Sequence, residues 1–187
     1  MENNFLTERF CLDNFLPNTV DNFDKLPKRC KEIFFQILHP DCPYHRLFSD
    51  GFMQTYMKAF DFDYSGCKTE AEIVFYFCHE ILLCNFPIKH SGISIKKHPE
   101  IIANDKKYDF AFCFENGTPN KLLVECNGYD TFNSKGKKPD SKRDKEIKDL
   151  GYEIITYSEY QIIENPFQCV MRATDTFINN QKINQRR

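Results

Sequence analysis

The sequence contains no long hydrophobic run. No stretch approaches the roughly 20 apolar residues of a membrane-spanning helix, so a membrane is not an expected partner. The opening residues, MENNFLTERF, lack the basic and apolar segments of a secretion signal. Positive charge is not in excess either. The 25 Lys and Arg stand against 27 Asp and Glu, a formal net charge of −2, so no global basicity announces a nucleic-acid partner. No internal repeat and no low-complexity tract is visible. Among nine cysteines no C-x-x-C pair occurs, and their odd number and irregular spacing argue against a disulfide framework. Cys30, Cys78, Cys84 and Cys113 sit inside apolar runs, the pattern of buried thiols in a reducing, cytoplasmic setting. The nearest approach to a zinc pattern is Cys42-x-x-His45 and the adjacent Cys78 and His79, with Cys67 and Cys84 nearby; without paired ligands it carries little weight.

What is present is an ordinary globular composition, 41% hydrophobic and 28% charged over 187 residues, enough for one domain with an added piece. Charge is unevenly placed. Residues 1–83 carry 8 Lys and Arg against 13 Asp and Glu, whereas residues 84–187 carry 17 against 14. The excess concentrates in 133–148, where Lys135, Lys137, Lys138, Lys142, Arg143, Lys145 and Lys148 outnumber Asp140, Asp144 and Glu146. Such a segment either holds a polyanion or is a solvated loop and helix face, and composition alone leaves both open.

Periodicity predicts helices first. Cys30, Ile33, Phe34, Ile37 and Leu38 recur at helical spacing within 27–39, with Pro27 in the first turn. A second short helix is expected over 52–60 and a linker over 61–68. Thr69 and Glu72 match a capping box that opens a helix running to Cys84. Residues 88–97 read as extended and 98–107 as loop. Tyr108, Phe110, Phe112 and Phe114 alternate with Asp109, Ala111 and Cys113, which predicts a strand. The turn-rich ENGTPN, with Asn116-Gly117, joins it to a second strand, Lys121–Cys126, as a hairpin. A helix over 139–150 ending at Gly151, a strand over 153–157 and a last helix opening at Asn165-Pro166 complete the pattern. The last helix should bury Phe167, Val170, Met171, Thr174, Phe177 and Ile178, and 179–187 should fray. The fold class is mixed α/β.

Chemistry concentrates in the hairpin. Asp109 and Glu125 are carboxylates in otherwise apolar strands, where an unpaired charge is costly. Glu125 and Asn127 share a strand face. If Asp109 lies opposite Glu125, two carboxylates and an amide converge at one sheet edge, a set that suits Mg²⁺ or Mn²⁺. The competing reading is two strand-edge carboxylates paired to local lysines.

Tyr108-Asp109-Phe110, Leu122–Tyr129 with Glu125-Cys126-Asn127, Asp140-x-x-Arg143-Asp144 and Leu150-Gly151-Tyr152 before Ile154-Ile155 occur in that order. Together they resemble the PD-(D/E)XK nuclease superfamily, in the branch of very-short-patch-repair-like endonucleases. Thr69–Glu72 and Asn165-Pro166 are similar to the starts of that branch's first and last helices. The resemblance spans residues 69–180. It implies a restriction-endonuclease-like mixed β-sheet flanked by helices. Residues 1–68, read as helical, form an N-terminal extension outside the resemblance, and 181–187 form a polar tail.

The resemblance further implies metal-dependent hydrolysis of phosphodiester bonds. Asp109, Glu125 and the Cys126 carbonyl would hold Mg²⁺, or Mn²⁺. Glu72 would position water there, or serve only its capping box. Lys135, Lys137, Lys138, Lys142, Arg143 and Lys145 would hold nucleic acid, DNA before RNA. Two departures stand out: Asn127 replaces the superfamily's Lys, and no His follows in 129–134. Asn cannot act as a base, but it can orient water or a phosphate oxygen, and Lys142 or Lys145 can stand in for the missing cation. The alternative to a nuclease is a catalytically weakened module that binds nucleic acid or a protein. The N-terminal helices offer a surface for a homodimer or a protein partner.

Overall fold

The computed structural model describes residues 23–39, 41, 59, 62–85, 93–97, 100–101, 106–114, 119–128 and 141–184. The chain divides into two compact units, residues 1–63 with 84–86, and residues 64–83 with 87–187.

In the first unit, α1 (Lys28–Leu38) buries Cys30, Ile33, Phe34 and Ile37, the expected stripe. Pro27 sits one place earlier than expected, as the N-cap, and its carbonyl accepts the Lys31 N–H at 3.3 Å. Phe23 packs edge-on against Phe34, ring centres 5.2 Å apart. The helix expected over 52–60 lies outside the described residues except for the buried Ala59.

The second unit runs α2 (Glu70–Asn85, whose last two residues count with the first unit), β1 (Ile93–Lys97), β2 (Glu100–Ile101), β3 (Lys106–Lys107), β4 (Phe110–Phe114), β5 (Pro119–Gly128), α3 (Ser141–Asp149), β6 (Glu153–Ser158), α4 (Glu159–Glu164) and α5 (Pro166–Asn184). A four-stranded sheet has the order β1-β4-β5-β6. β1/β4 and β4/β5 are antiparallel, and β5/β6 is parallel, joined by the crossover helix α3. β2 and β3 form a separate two-residue ladder within the stretch expected to be loop.

Helices cover both faces. Phe110 stacks on Phe75 of α2 at 5.5 Å, and Phe112 meets His79 of α2 at 5.5 Å and Phe177 of α5 at 5.6 Å. On the opposite face, Ile147 of α3 packs with Leu123 and Tyr108, joined by Ala111, Tyr152 and Ile154. The alternation read from the sequence fails at one point. Tyr108 does not share the face of Phe110 and Phe112 but joins the Ile147 cluster, because the chain bends at Asp109, one residue before β4 begins. The Asn116-Gly117 turn lies outside the described residues.

Local signals account for the ends of the elements. α3 stops at Asp149 in a Schellman arrangement: Gly151 N–H donates to Lys148 O at 2.8 Å and Tyr152 N–H to Ile147 O at 3.2 Å. Gly151 has φ +84, a conformation other residues resist. α4 was not expected from periodicity. Its signal is a capping box, with Gln161 N–H on Ser158 Oγ at 3.2 Å and Ser158 N–H on Gln161 Oε1 at 2.9 Å. α5 begins at Pro166 as read, but it extends to Asn184 rather than fraying from 179. Its buried side is Phe167, Cys169, Val170, Ala173 and Phe177; Met171, expected inside, is exposed.

Candidate functional site

The end of β4 is closed by a side chain. Asp109 Oδ2 accepts the backbone N–H of Cys126 at 2.7 Å. The β4/β5 register pairs Phe110 with Val124, and the same register one step further sets Asp109 beside Glu125. A continued strand would have offered that amide a carbonyl; here the half-buried carboxylate takes its place. The Asp109 carboxylate thus sits against Cys126, the residue that follows Glu125 in β5.

On its other side, β5 departs from regular pairing at the same level. Glu125 pairs with Thr156, but the next pair is Gly128 with Ser158, so Cys126 and Asn127 lie opposite the single residue Tyr157. A bulge of this kind re-aims the chain and interrupts a ladder. Strand alternation puts Glu125, like Leu123, on the α3 face, and Cys126 on the face of α2 and α5. Glu125 is buried, 7% exposed.

Glu72 reaches this region from α2 while capping that helix. Its Oε2 accepts the Lys68 N–H at 2.9 Å, its Oε1 accepts from Thr69 Oγ1 at 3.3 Å, and its own N–H donates to Thr69 Oγ1 at 3.2 Å. The box is shifted by one residue from the usual form, because the backbone partner is Lys68 rather than Thr69. Glu72 is 2% exposed. Burial pushes the Cys126 thiol well above its ordinary range, and the charges of Asp109 and Glu72 raise it further, as do those of Cys169 and Cys67. Capping and proximity to the hairpin thus coexist in one side chain. Cys169 is pushed up to about 11 by burial, with Arg172 acting in the opposite sense. The Tyr157 hydroxyl donates to Cys169 O at 2.8 Å, tying β6 to the first turns of α5, and burial raises its pKa.

Of the remaining residues singled out from the sequence, Lys142 and Lys145 are exposed on α3. Arg143 belongs to α3 and Asn127 to β5, but their side chains lie outside the described residues, as do Lys135, Lys137 and Lys138. Thr156 was not singled out. Its place beside Glu125 depends on the parallel β5/β6 register, which no local pattern in EIITYS reveals.

The donor chemistry fits a hard divalent cation. Asp109 and Glu125 offer carboxylate oxygens, and the Cys126 sulfur is held as a neutral thiol on the opposite side of β5. Among the described residues no group of three or more His, Cys, Asp or Glu side chains is arranged to hold a metal ion. No helix among the described residues is long and apolar enough to cross a membrane. Compared with family models, with curated proteins and with solved structures, the chain matches none.

Proposed function

We propose that the second unit is a metal-dependent endonuclease domain of the PD-(D/E)XK kind, hydrolysing phosphodiester bonds, with DNA as the favoured polymer. The observation that carries the reading is the Asp109 carboxylate fixed on the Cys126 amide at 2.7 Å, at the end of a strand pair that also presents Glu125. The element order supports it: a helix, an antiparallel run of strands, a crossover helix and a strand parallel to the one that carries Glu125. In open sheets with parallel strands, ligands bind beyond the carboxyl ends of those strands, and Glu125 lies near the end of β5.

In this reading Asp109, Glu125 and the Cys126 carbonyl hold Mg²⁺ or Mn²⁺. Such an ion lowers the pKa of a bound water and offsets charge on the phosphate. The amide of Cys126 fixes the rotamer of Asp109, so the carboxylate is in place before substrate arrives. Glu72 caps α2, and its charge is felt at Cys126 of β5. Lys142 and Lys145, exposed on α3, attract the phosphate backbone and make binding sensitive to salt. Asn127 orients a water or a phosphate oxygen but takes no proton.

One observation favours a second reading. Asn127 stands where the superfamily carries Lys, which suits a module that binds nucleic acid without cutting it. The purified chain is to be incubated with supercoiled plasmid, single-stranded DNA and RNA, each with Mg²⁺, Mn²⁺ or EDTA. Cutting should require metal and should fall by about a hundredfold or more in Asp109→Ala and Glu125→Ala. Asp109→Asn, which still accepts from the Cys126 amide, separates loss of charge from loss of structure. Binding without cutting, unchanged by all three substitutions, would replace the nuclease with the binding module.

A further inference from the structure

The α3 face of the sheet changes character abruptly along its strands. Ala111, Leu123 and Ile154 form one lateral row, set by the pairings of β4 with β5 and β5 with β6, and Ile147 of α3 packs over it. Two residues further along β5 and β6 the next row on that face is Glu125 and Thr156. Glu125 is buried, whereas Thr156 is exposed. Immediately beyond them β5 bulges at Cys126 and Asn127. Adjacent strands lie about 4.8 Å apart, so the backbone of Thr156 runs one strand width from that of Glu125, with both residues on the same face. Its neighbours on this face of β6 have other work: Ile154 packs against the α3 cluster and Ser158 caps α4.

From this juxtaposition we infer that Thr156 binds substrate in the candidate site, donating its hydroxyl to a non-bridging oxygen of the phosphate that Glu125 faces. The inference rests on the nucleic-acid reading and deepens it. A hydroxyl donates to an anionic oxygen without adding charge of its own, and Thr and Ser are recurrent phosphate contacts. The site gains a neutral donor on the side of Glu125 away from Asp109. An exposed Thr on an edge strand also suits the strand for propensity alone, so the test must keep β-branching while removing the donor.

Thr156→Val does so, and Thr156→Ser restores the donor. Steady-state cleavage of a short DNA duplex with Mg²⁺ gives KM and kcat, fluorescence anisotropy of the same duplex gives Kd, and thermal unfolding gives Tm. Thr156→Val should raise KM and Kd about tenfold, leave kcat within about twofold and leave Tm unchanged. Thr156→Ser should lie near the wild type in all four. KM and Kd unchanged in Thr156→Val, while Asp109→Asn is inactive, would overturn this inference and leave the nuclease reading standing. Equal weakening in both variants together with a fall in Tm would assign Thr156 to packing instead. A wild-type chain that binds without cutting still tests the inference through Kd; one that does neither overturns both.

Discussion

On one face of the sheet, Phe110 and Phe112 meet α2 and α5 through Phe75, His79 and Phe177, with Tyr157 6.0 Å from Phe75. On the other, a smaller cluster around Tyr108, Leu123 and Ile147 is covered by the nine residues of α3. The first face is aromatic and buried at its centre, where Phe110, Phe112, Leu122 and Val124 lie. On the second, Ile147 of α3 covers the row of Ala111, Leu123 and Ile154, and the next row holds the buried Glu125 and the exposed Thr156. The two faces differ in kind: one is dominated by aromatic packing, and the other carries the polar residues of the proposed site on the same strands.

Stability measurements can break or sharpen that comparison. Phe112→Ala should cost about 3–5 kcal/mol in urea unfolding, because it empties a site bounded by His79 and Phe177. Ile147→Ala should cost about 2–3 kcal/mol, since its cluster is smaller. A larger loss at Ile147 than at Phe112 would reverse the ranking of the faces.

The aromatic face also carries a titratable group. His79 is 1% exposed; its Nδ1 lies 3.3 Å from Glu80 Oε1, and its Nε2 has no hydrogen-bond partner. Burial lowers its pKa, with Glu80 opposing through a hydrogen bond and its charge. The folded state therefore binds this proton less readily than the unfolded chain. As pH falls below the unfolded value of about 6.5, the unfolded state gains a proton that the folded state refuses, so stability drops, at up to about 1.4 kcal/mol per pH unit. Urea titrations at pH 7.5, 6 and 5 should show this loss, and His79→Leu should flatten it. An unchanged slope in that variant would assign the acid sensitivity to other groups.

The α3 face depends on a single turn. At Gly151 an added Cβ would lie 2.6 Å from Lys121 Nζ, an adaptable side-chain end, so the φ of +84 dominates the cost. Gly151→Ala should destabilise by about 1–2 kcal/mol. If calorimetry shows no loss, the Schellman turn is not what holds Tyr152 against Ile147.

Much of this arrangement is legible in the sequence. The stripe of α1, the hairpin, the cap at Thr69, the Gly151 stop and the Pro166 start each rest on contacts within a few residues, which local patterns record. Asp109 and Glu125 stood out because charge inside an apolar strand demands a partner. Most of the departures have nonlocal causes. Tyr108 changes face because Asp109 leaves the ladder to accept the Cys126 amide. Met171 is exposed because the buried stripe of α5 centres on Val170, Ala173 and Phe177. α4 was hidden because its six residues are too short for periodicity, although Ser158 and Gln161 announced its start. Thr156 needed the pairing of β5 with β6, which is a property of the whole sheet.

The bond from Cys126 to Asp109 has a spectroscopic consequence. A peptide proton held by a carboxylate resonates according to the charge on that carboxylate, so the Cys126 amide is an intrinsic probe placed inside the candidate site. Anything that draws electron density from Asp109, whether a cation or a proton, is written into one backbone resonance without labelling a side chain.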